Sequence, residues 1–291
     1  MKDINIFCFG FGQVAKSFIS KISSENYNIN LSTTSRSITS KNFFKGLAYQ
    51  NYLFDDKEYD ENLILKLKDA DHILVSIPPI EGEDLVIKNF SKFLKNSRVK
   101  SLTYLSSTSV YGDHRGEWVD ESSETRAKSG YGITRLRAEN LWISLKTDKD
   151  LPVQIFRLSG IYSNENNILI RLKLGNVKLI NKKNHYFSRI HVEDIANILF
   201  ESLSKFKPGE IYNISDDKPS SSEEMILYGA SILNIQNLKM IEVYEIENEM
   251  LKNFYKYSKR VSNKKIKVLL GYKFKFPTYV EGLNHIKDNL I

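Results

Sequence analysis

Short apolar runs alternate with amphipathic stretches along the first half of the chain. Residues 4–9 form an apolar run that ends at a glycine, and apolar residues then recur at helical spacing through Phe18, Ile19 and Ile22. A short apolar run ended by glycine is typical of a buried strand and a tight turn, whereas the spacing after it is that of a helix. The opening stretch is therefore predicted to be a strand, a turn and a helix.

The same alternation continues for about 150 residues. Strands are predicted at 28–34, 47–54, 72–77 and from Ser101, and helices at 61–68, 84–94, from Tyr131 and at 192–206, while 262–263 resembles the cap of a helix over 264–270 that ends at Gly271. Strands that alternate with helices imply an α/β fold with a doubly wound parallel sheet. In such a sheet the ligand lies beyond the carboxyl ends of the strands.

The turn after the first strand has the pattern of a phosphate-binding loop. The pattern is G-x-G-x-x-A, with Gly10 and Gly12 followed by Gln13, Val14 and Ala15. Gly10 would make the sharp turn, Gly12 would clear space for phosphates, and Ala15 would let the helix pack against the strand. A pyrophosphate would then lie at the helix N-terminus, against Gln13 and Val14. The alternative is a pair of ordinary turn glycines.

The end of the second predicted strand bears on the choice of coenzyme. A NAD site usually has an acidic residue there, but this chain has Ser35 and Arg36. The planar guanidinium of Arg36 is suited to a 2′-phosphate, so NADP is preferred over NAD. The alternative is a solvated loop arginine. Asp55, just beyond the third strand, is a candidate acceptor for the adenine amino group.

Polar residues follow the fourth and fifth predicted strands. Ser76 and Pro78 would lie beside the nicotinamide half of a coenzyme, because Pro78 ends the fourth strand at the carboxyl edge of the sheet. Ser106 and Ser107 lie at the same edge, at the end of the fifth strand, and Thr108 follows them. Serine hydroxyls at this edge are candidates for contact with a coenzyme and a substrate.

The helix after the fifth strand opens with a tyrosine and an arginine. Tyr131 and Arg135 are four residues apart and so share one helix face, where the cation is expected to lower the pKa of the phenol. A tyrosine near a serine hydroxyl and a nicotinamide is suited to moving a proton while hydride moves.

Composition and charge exclude several other classes of protein. The 291 residues are 41% hydrophobic and 26% charged, which is ordinary for a globular protein. No apolar stretch approaches the roughly 20 residues that span a bilayer, no signal peptide is recognised, and the one cysteine, Cys8, lies inside the first strand. A cytoplasmic protein without a membrane partner is expected. The net charge of +7 is spread along the chain, which favours a solvated surface over a nucleic-acid site. The positive field would also benefit an anionic small ligand.

Taken together, these stretches resemble the extended short-chain dehydrogenase/reductase superfamily, in particular its NAD-dependent epimerase/dehydratase branch and the atypical members of that branch. Further matches lie at 157–162, 187–194, 212–219 and 270–272. The resemblance implies that Ser107 polarises the substrate and that Tyr131 is the acid/base. It also implies an oxidoreductase or epimerase that acts on a nucleotide-sugar or a related hydroxyl compound.

Three departures distinguish this chain from the family pattern. Arg135 stands where the family has a lysine that binds the nicotinamide ribose. Thr108 and Ser109 stand where sugar 4,6-dehydratases have an Asp-Glu pair, so that dehydration is disfavoured. The glycine loop is also shorter than usual. These departures keep a second hypothesis open, in which the protein is a non-catalytic NADP(H)-binding sensor or scaffold.

The resemblance also implies a division of the chain. A Rossmann-type NAD(P)-binding domain is expected over 1–162, completed by 189–214, and a smaller substrate-binding lobe over 163–188 and 215–291. The family often forms homodimers through the helices that flank the sheet.

The substrate residues are predicted from chemistry and from this division. Arg171, Arg189 and Arg260 are candidates for a diphosphate because arginine binds phosphate oxygens in a bidentate manner, and Thr108 is a candidate for the sugar. For each arginine the alternative is a surface ion pair. No metal site is expected, because His191 and Asp194 have no third ligand at a suitable spacing and are expected to orient the 157–162 loop.

Overall fold

A computed structural model describes residues 1–37, 42–128 and 130–289 of the chain. Its strands, in chain order, are β1 (Lys2–Phe9), β2 (Tyr27–Ser35), β3 (Phe43–Phe44), β4 (Leu47–Ala48), β5 (Gln50–Leu53), β6 (His72–Val75), β7 (Ser101–Ser107), β8 (Trp118–Val119), β9 (Val153–Leu158), β10 (Gly160–Tyr162), β11 (Leu179–Asn181), β12 (Arg189–His191), β13 (Ile211–Ile214), β14 (Met240–Glu242) and β15 (Arg260–Val261).

Helices occupy most of the intervals between these strands. The α-helices are α1 (Gln13–Ser23), α2 (Leu63–Asp69), α3 (Leu85–Leu94), α4 (Gly130–Lys149), α5 (Ile168–Lys173), α6 (Val192–Lys205), α7 (Ser222–Ile232), α8 (Glu249–Lys256), α9 (Lys264–Leu270) and α10 (Tyr279–Asn289). No helix among the described residues combines the length and the apolar character that crossing a bilayer requires.

Seven strands form the central sheet, in the order β13-β9-β7-β6-β1-β2-β5. β1 is parallel to both neighbours, since Ile6 pairs with Leu31 of β2 on one side and with His72 of β6 on the other. The chain runs outward from β1 to β2 and β5 and then returns to build the other half from β6. The direction of winding therefore reverses between β1 and β6, where such sheets have their ligand crevice. The predicted doubly wound α/β fold is confirmed.

The predicted strand at 47–54 is in fact two strands. β4 pairs antiparallel with β3, and only β5 joins the central sheet beside β2. Lys45 and Gly46, with φ of 49° and 82°, make the turn of the small β3–β4 hairpin. The alternation of apolar and polar residues is the same in a hairpin arm as in a sheet strand. The pattern therefore could not separate β4 from β5 and predicted a single strand.

The helix over 264–270 ends at Gly271 as predicted, with φ of 63°, but the start of this helix differs from the prediction. The side chain of Asn263 does not cap α9. It donates to the Ser215 carbonyl at 2.9 Å and to Asp217 Oδ1 at 2.6 Å. Ser262 Oγ accepts a long bond of 3.4 Å from the Lys264 N–H. The side-chain amide of Asn263 therefore makes tertiary hydrogen bonds instead of the helix cap that the sequence predicted.

The chain divides into two compact units. Unit 1 comprises residues 1–110, 129–157 and 195–212, of which 38–41 and 129 are outside the described residues. Its core includes the fully buried rings of Phe7, Phe9, Phe90, Tyr104 and Trp142.

Cys8 lies between Phe7 and Phe9 on β1, so its side chain points to the opposite face of the sheet. Burial raises the pKa of its thiol to about 12, so Cys8 packs as a small apolar residue.

Unit 2 comprises residues 111–128, 158–194 and 213–291, of which 290–291 are outside the described residues. Its core joins α5, α7 and α10, with Leu169, Ile226 and Leu283 buried between them. Gly229 on α7 allows this close packing, because a Cβ there would lie 3.0 Å from Leu172 Cδ1.

Candidate functional site

The turn between β1 and α1 is made by Gly10, whose φ is +84°. Its N–H donates to Thr34 Oγ1 at 3.0 Å, and its carbonyl accepts from Ser76 Oγ at 3.2 Å. A Cβ at Gly10 would lie 2.7 Å from Ile77 Cγ2 and 2.9 Å from Ser76 Oγ. Only glycine fits this turn without strain, and residues of β2 and of the loop after β6 hold it.

Gly12 is the N-cap residue of α1 and has an extended backbone. Its carbonyl accepts the first helical bond, from the Lys16 N–H at 2.9 Å. Apart from Gly12 and its two neighbours in the chain, no heavy atom of the described residues lies within 4 Å of the position that a Cβ would occupy. The N–H groups of Gln13 and Val14 belong to the first turn, where no helical carbonyl can accept them. An open position therefore faces the positive end of a helix, an arrangement that binds anions.

Beyond β2, Ser35 and Arg36 lie in a short polar segment. Ser35 Oγ accepts from Asn51 Nδ2 at 2.7 Å and donates to the Ser37 carbonyl. Arg36 follows directly and its side chain is exposed. The serine hydroxyl is thus occupied by local contacts, whereas the guanidinium is accessible.

Asp55 lies past the end of β5 in a tight turn. Its Oδ1 accepts from the Lys57 N–H at 2.8 Å and from the Glu58 N–H at 2.9 Å. The Glu58 bond is the larger cause, and the two together lower the pKa of the carboxyl. The residue is therefore an ionised acceptor at neutral pH.

The loop after β6 begins with Ser76, whose hydroxyl also donates to the Phe9 carbonyl at 2.9 Å. Since the same hydroxyl contacts Gly10, Ser76 holds the glycine turn in place. Pro78, two residues on, is exposed. Gly10 and Ser76, singled out separately in the sequence, are thus brought together.

The polar residues at the end of β7 have different surroundings. Ser106 is buried and its Oγ donates to Glu139 Oε1 at 2.5 Å. Ser107 is half-buried, and its Oγ accepts from the Ser109 N–H at 3.1 Å. Thr108 is buried and starts a turn of 3₁₀ helix. Of the three, Ser107 is the most accessible.

Tyr131 and Arg135 lie in the first two turns of α4. The Tyr131 side chain is 73% exposed, and no hydrogen bond among the described residues joins its hydroxyl to Ser107. Arg135 Nη1 donates to the Leu105 carbonyl at 2.6 Å and to the Tyr104 hydroxyl at 3.2 Å. This arm of the guanidinium is therefore directed to β7.

A buried ion pair that the sequence analysis missed lies one helical turn further on. Glu139 accepts from Arg157 Nη2 at 2.7 Å and from its Nε at 3.1 Å, with the two side chains only 2% and 5% exposed. Glu139 also accepts from Ser106, so the carboxylate joins α4 to β7 and β9. The sequence signal that could have identified Glu139 is its position eight residues after Tyr131, on the same helix face.

A second missed group is linked to Arg135 through the rings of Trp142 and Tyr104. Asp84 caps α3 through the N–H groups of Val86 and Ile87 and accepts from Trp142 Nε1 at 2.9 Å. The Trp142 indole stacks on the Tyr104 ring, with centroids 5.9 Å apart. Burial raises the pKa of Asp84, and the charge of Arg135 opposes that rise.

Unit 2 contains a cavity of about 880 Å³. Arg171 and Arg189 both contribute to its lining. Arg189 is buried, and its guanidinium donates to Ser220 Oγ at 2.8 Å and to the Phe187 carbonyl at 3.2 Å. Phe187 stacks on Phe254 in the same lining, with centroids 3.9 Å apart and planes 6° apart. The cavity thus combines cations with aromatic faces.

Arg260 is not among the residues that line this cavity. Its Nε donates to the Gly116 carbonyl at 2.6 Å. Its guanidinium lies over the Tyr186 ring at 4.7 Å and over the Trp118 ring at 5.6 Å. Arg260 therefore packs the strand pair β15–β8.

The expectation for His191 and Asp194 is right for one residue and wrong for the other. His191 packs edge-on against Tyr162 of the 157–162 loop, with ring centroids 5.0 Å apart. Asp194 instead accepts from the Tyr272 hydroxyl at 2.6 Å and from the Lys275 N–H at 2.7 Å. Its carboxylate holds residues 272–276, which are distant in sequence and could not be paired from the pattern. The described residues contain no group of His, Cys, Asp and Glu suited to a metal ion.

Comparison with protein families and curated proteins gives one match. The model of the NAD dependent epimerase/dehydratase family matches residues 87–215. No curated protein matches the chain.

Solved structures give matches over the whole chain. A functionally unknown conserved protein from Silicibacter pomeroyi DSS is 30% identical, with 99% of each chain covered and a TM-score of 0.88. The UDP-N-acetylglucosamine 4-epimerase from Bacillus cereus is 17% identical, with 100% of this chain and 99% of that chain covered and a TM-score of 0.77. The UDP-glucuronic acid 4-epimerase from Bacillus cereus in complex with NAD is 16% identical, with 99% of each chain covered and a TM-score of 0.75. At these identities the two epimerases share the fold.

Proposed function

The chain belongs to the NAD-dependent epimerase/dehydratase family, and on that premise we propose that it is an NAD(P)-dependent oxidoreductase or epimerase acting on a nucleotide-sugar or a related hydroxyl compound. The observation that carries the proposal is the Gly10 turn at the point where the winding of the sheet reverses. The open position beside Gly12 fits a pyrophosphate, because a phosphate there meets helix N–H groups.

In this proposal residues 1–162 and 189–214 bind the coenzyme. Gln13 and Val14 donate to its phosphates, Asp55 accepts from adenine, and Ser76 and Pro78 border its nicotinamide end. NADP is preferred over NAD, because the exposed Arg36 follows β2 where an acidic residue would repel a 2′-phosphate. Arg36→Asp should then shift preference toward NADH, and unchanged ratios of the two dissociation constants would refute the preference.

The coenzyme, when bound, supplies a centre that accepts and returns hydride. The residues of the chain manage the proton and the substrate oxygen. Tyr131 takes the proton from the reacting hydroxyl and returns it, and Ser107 donates a hydrogen bond to the same oxygen, assisted by Thr108 in holding the sugar. Ser106 keeps Ser107 in register through its bond to Glu139.

The substrate lobe comprises residues 163–188 and 215–291 in this proposal, and the cavity in unit 2 holds the nucleotide. Arg171 and Arg189 supply positive charge for the diphosphate, and Phe187 and Phe254 supply aromatic faces for the base. Arg260, which packs on Trp118 and Tyr186, acts at most at the rim. The two Bacillus cereus epimerases are named for UDP-linked substrates, which supports this class.

The test is kinetic. Each of a panel of UDP-sugars and dTDP-sugars is incubated with the enzyme and NADP⁺ or NAD⁺, and epimer formation and nicotinamide absorbance are followed. Tyr131→Phe should abolish turnover of any substrate found, since the phenol proton is lost. Tyr244→Phe is a matched control, because Tyr244 is 84% exposed and lies outside the site. Unchanged turnover in Tyr131→Phe would refute the role of Tyr131.

A second candidate function is a non-catalytic NADP(H)-binding sensor or scaffold. It is favoured by Arg135, whose Nη1 is bound to Leu105 and Tyr104 where the family uses a lysine. Tight NADPH binding without hydride exchange across the panel, and without gain in Arg135→Lys, would support it. Turnover by the unaltered protein would remove it.

A further inference from the structure

Arg135 is anchored to β7 by two acceptors of different kinds. The Leu105 carbonyl accepts from Nη1 at 2.6 Å, and the Tyr104 hydroxyl accepts from the same nitrogen at 3.2 Å. The carbonyl is a fixed part of the strand. Tyr104 is fully buried, and its ring is held by stacking on Trp142. The anchor is therefore rigid.

The rest of the guanidinium remains available. Among the described residues, Nε and Nη2 of Arg135 have no acceptor. Leu105 lies two residues before Ser107, at the carboxyl end of β7, which is the ligand edge of a parallel sheet. The planar fork of an arginine fixes its remaining donors once one nitrogen is bound. The anchor thus sets the direction of the free donors.

We propose that Tyr104 is a positioning residue that, with the Leu105 carbonyl, orients Arg135 so that its free N–H groups bind the ribose hydroxyls of the nicotinamide half of the coenzyme. This inference rests on the proposed function, since it requires a coenzyme in unit 1. It assigns to Tyr104 a task that a lysine at 135 would not require. The three donors of a lysine share one nitrogen, so an anchor on the strand would fix the whole charged group there, whereas arginine spreads its donors over three nitrogens of a planar fork.

A buried carboxylate lies within electrostatic range of Arg135. Asp84, which is buried and accepts from Trp142, lies close enough for the charge of Arg135 to act on it. The group Asp84, Trp142, Tyr104 and Arg135 therefore extends from the cap of α3 to the ligand edge. This continuity distinguishes an anchored arginine from a mobile surface one.

The test is a double-mutant cycle on coenzyme binding, with Tyr104→Phe, Arg135→Lys and both together. The probes are NADPH or NADH, whichever the unaltered protein binds more tightly, and the matching fragment 2′,5′-ADP or 5′-ADP, which lacks the nicotinamide ribose. Tyr104→Phe should weaken coenzyme binding about tenfold, because a hydrogen bond to a charged group is lost. In the Arg135→Lys protein the same change should have less than about a twofold effect. Binding of the fragment should not change.

Several results would overturn the inference. An equal loss from Tyr104→Phe in both backgrounds would show that Tyr104 does not act through Arg135. An equal loss for coenzyme and fragment would show general damage to the site. Tyr27→Phe is the control, since Tyr27 lies at the amino end of β2 and packs on Phe200, and it should bind both probes normally.

A second variant covers failure of Tyr104→Phe to fold. Arg135→Gln keeps the helix and removes the charge, so it should weaken coenzyme binding at least about tenfold and spare the fragment. Unchanged coenzyme binding in Arg135→Gln would overturn the inference. If the unaltered protein binds neither coenzyme, the proposed function fails; if it binds and the cycle is additive, only the role of Tyr104 fails.

Discussion

Gly10 and Gly12 are two residues apart, yet alanine should affect a different property at each position: the stability of the fold at Gly10 and the binding of phosphates at Gly12. At Gly10 the backbone is left-handed and the added methyl group meets Ile77 and Ser76 at 2.7 and 2.9 Å. At Gly12 the backbone is extended and the methyl group enters open space. Gly10→Ala should therefore damage the fold, whereas Gly12→Ala should damage only the binding of phosphates.

The magnitudes follow from these surroundings. A left-handed alanine costs about 1–2 kcal/mol, and an overpacked methyl group costs a further 1–3 kcal/mol or so, so Gly10→Ala should lose about 3 kcal/mol of unfolding free energy. Gly12→Ala changes an N-cap residue and should lose about 1 kcal/mol or less. If the phosphates bind where we propose, its methyl group would displace one of them from one or two helix N–H groups, so NADPH should bind about a hundredfold more weakly.

Two measurements separate the effects. Urea unfolding monitored by the fluorescence of the two tryptophans gives the free energy of unfolding, and coenzyme fluorescence gives the dissociation constant. Both are run on each variant without added substrate. Coenzyme binding that is unimpaired in Gly12→Ala would refute the placement of the phosphates. Wild-type stability in Gly10→Ala would refute the account of the turn.

Three further predictions concern stability. Glu139→Gln should lose about 3–5 kcal/mol because it removes the carboxylate that pairs with the buried Arg157 guanidinium, and a loss below about 1 kcal/mol in urea unfolding would contradict this. Gly282→Ala should destabilise the protein although alanine favours helices, because the added Cβ would overlap the Tyr162 phenol, and Tyr162→Phe should restore part of the loss in thermal unfolding. Burial raises the pKa of Asp216 in the folded protein well above its ordinary value. The folded protein therefore holds this proton more tightly than the unfolded chain, and the free energy of unfolding should fall as the pH rises from the pKa in the unfolded chain to the pKa in the folded protein. Asp216→Asn should flatten unfolding free energy against pH in that window, and an unchanged slope would contradict it.

The sequence predicted the elements whose patterns are local. β1, its glycine turn and α1 occupy nearly the expected residues, because a buried strand, a turn and an amphipathic helix each have a distinct periodicity. The parallel, doubly wound sheet followed from the alternation of strands and helices, whereas its strand order, with the reversal between β1 and β6, came from the structure. These features depend on backbone geometry, which the pattern of residue types constrains closely.

Features that depend on tertiary partners were not predictable in the same way. Asp194 holds residues 272–276, and Asn263 contacts Ser215 and Asp217 instead of capping α9. For each of these side chains the sequence suggests a role close by in the chain. It does not suggest the partner that lies far away in the chain. A polar side chain takes whichever buried donor or acceptor would otherwise be unsatisfied, and this is decided by packing.

The same distinction bears on whether the atypical residues indicate lost function. If a departure from the family pattern left buried polar neighbours without hydrogen-bond partners, it would indicate that the site has lost its function. Here the short glycine turn is held by Thr34 and Ser76, and Arg135 is held by Leu105 and Tyr104. Because these two departures have matched contacts, the coenzyme side of the site is organised for the residues it contains, whereas in the third departure the Ser109 hydroxyl is buried with no hydrogen-bond partner among the described residues. This organisation supports coenzyme binding under either proposed function, and the distinction between them depends on the proton transfer assigned to Tyr131.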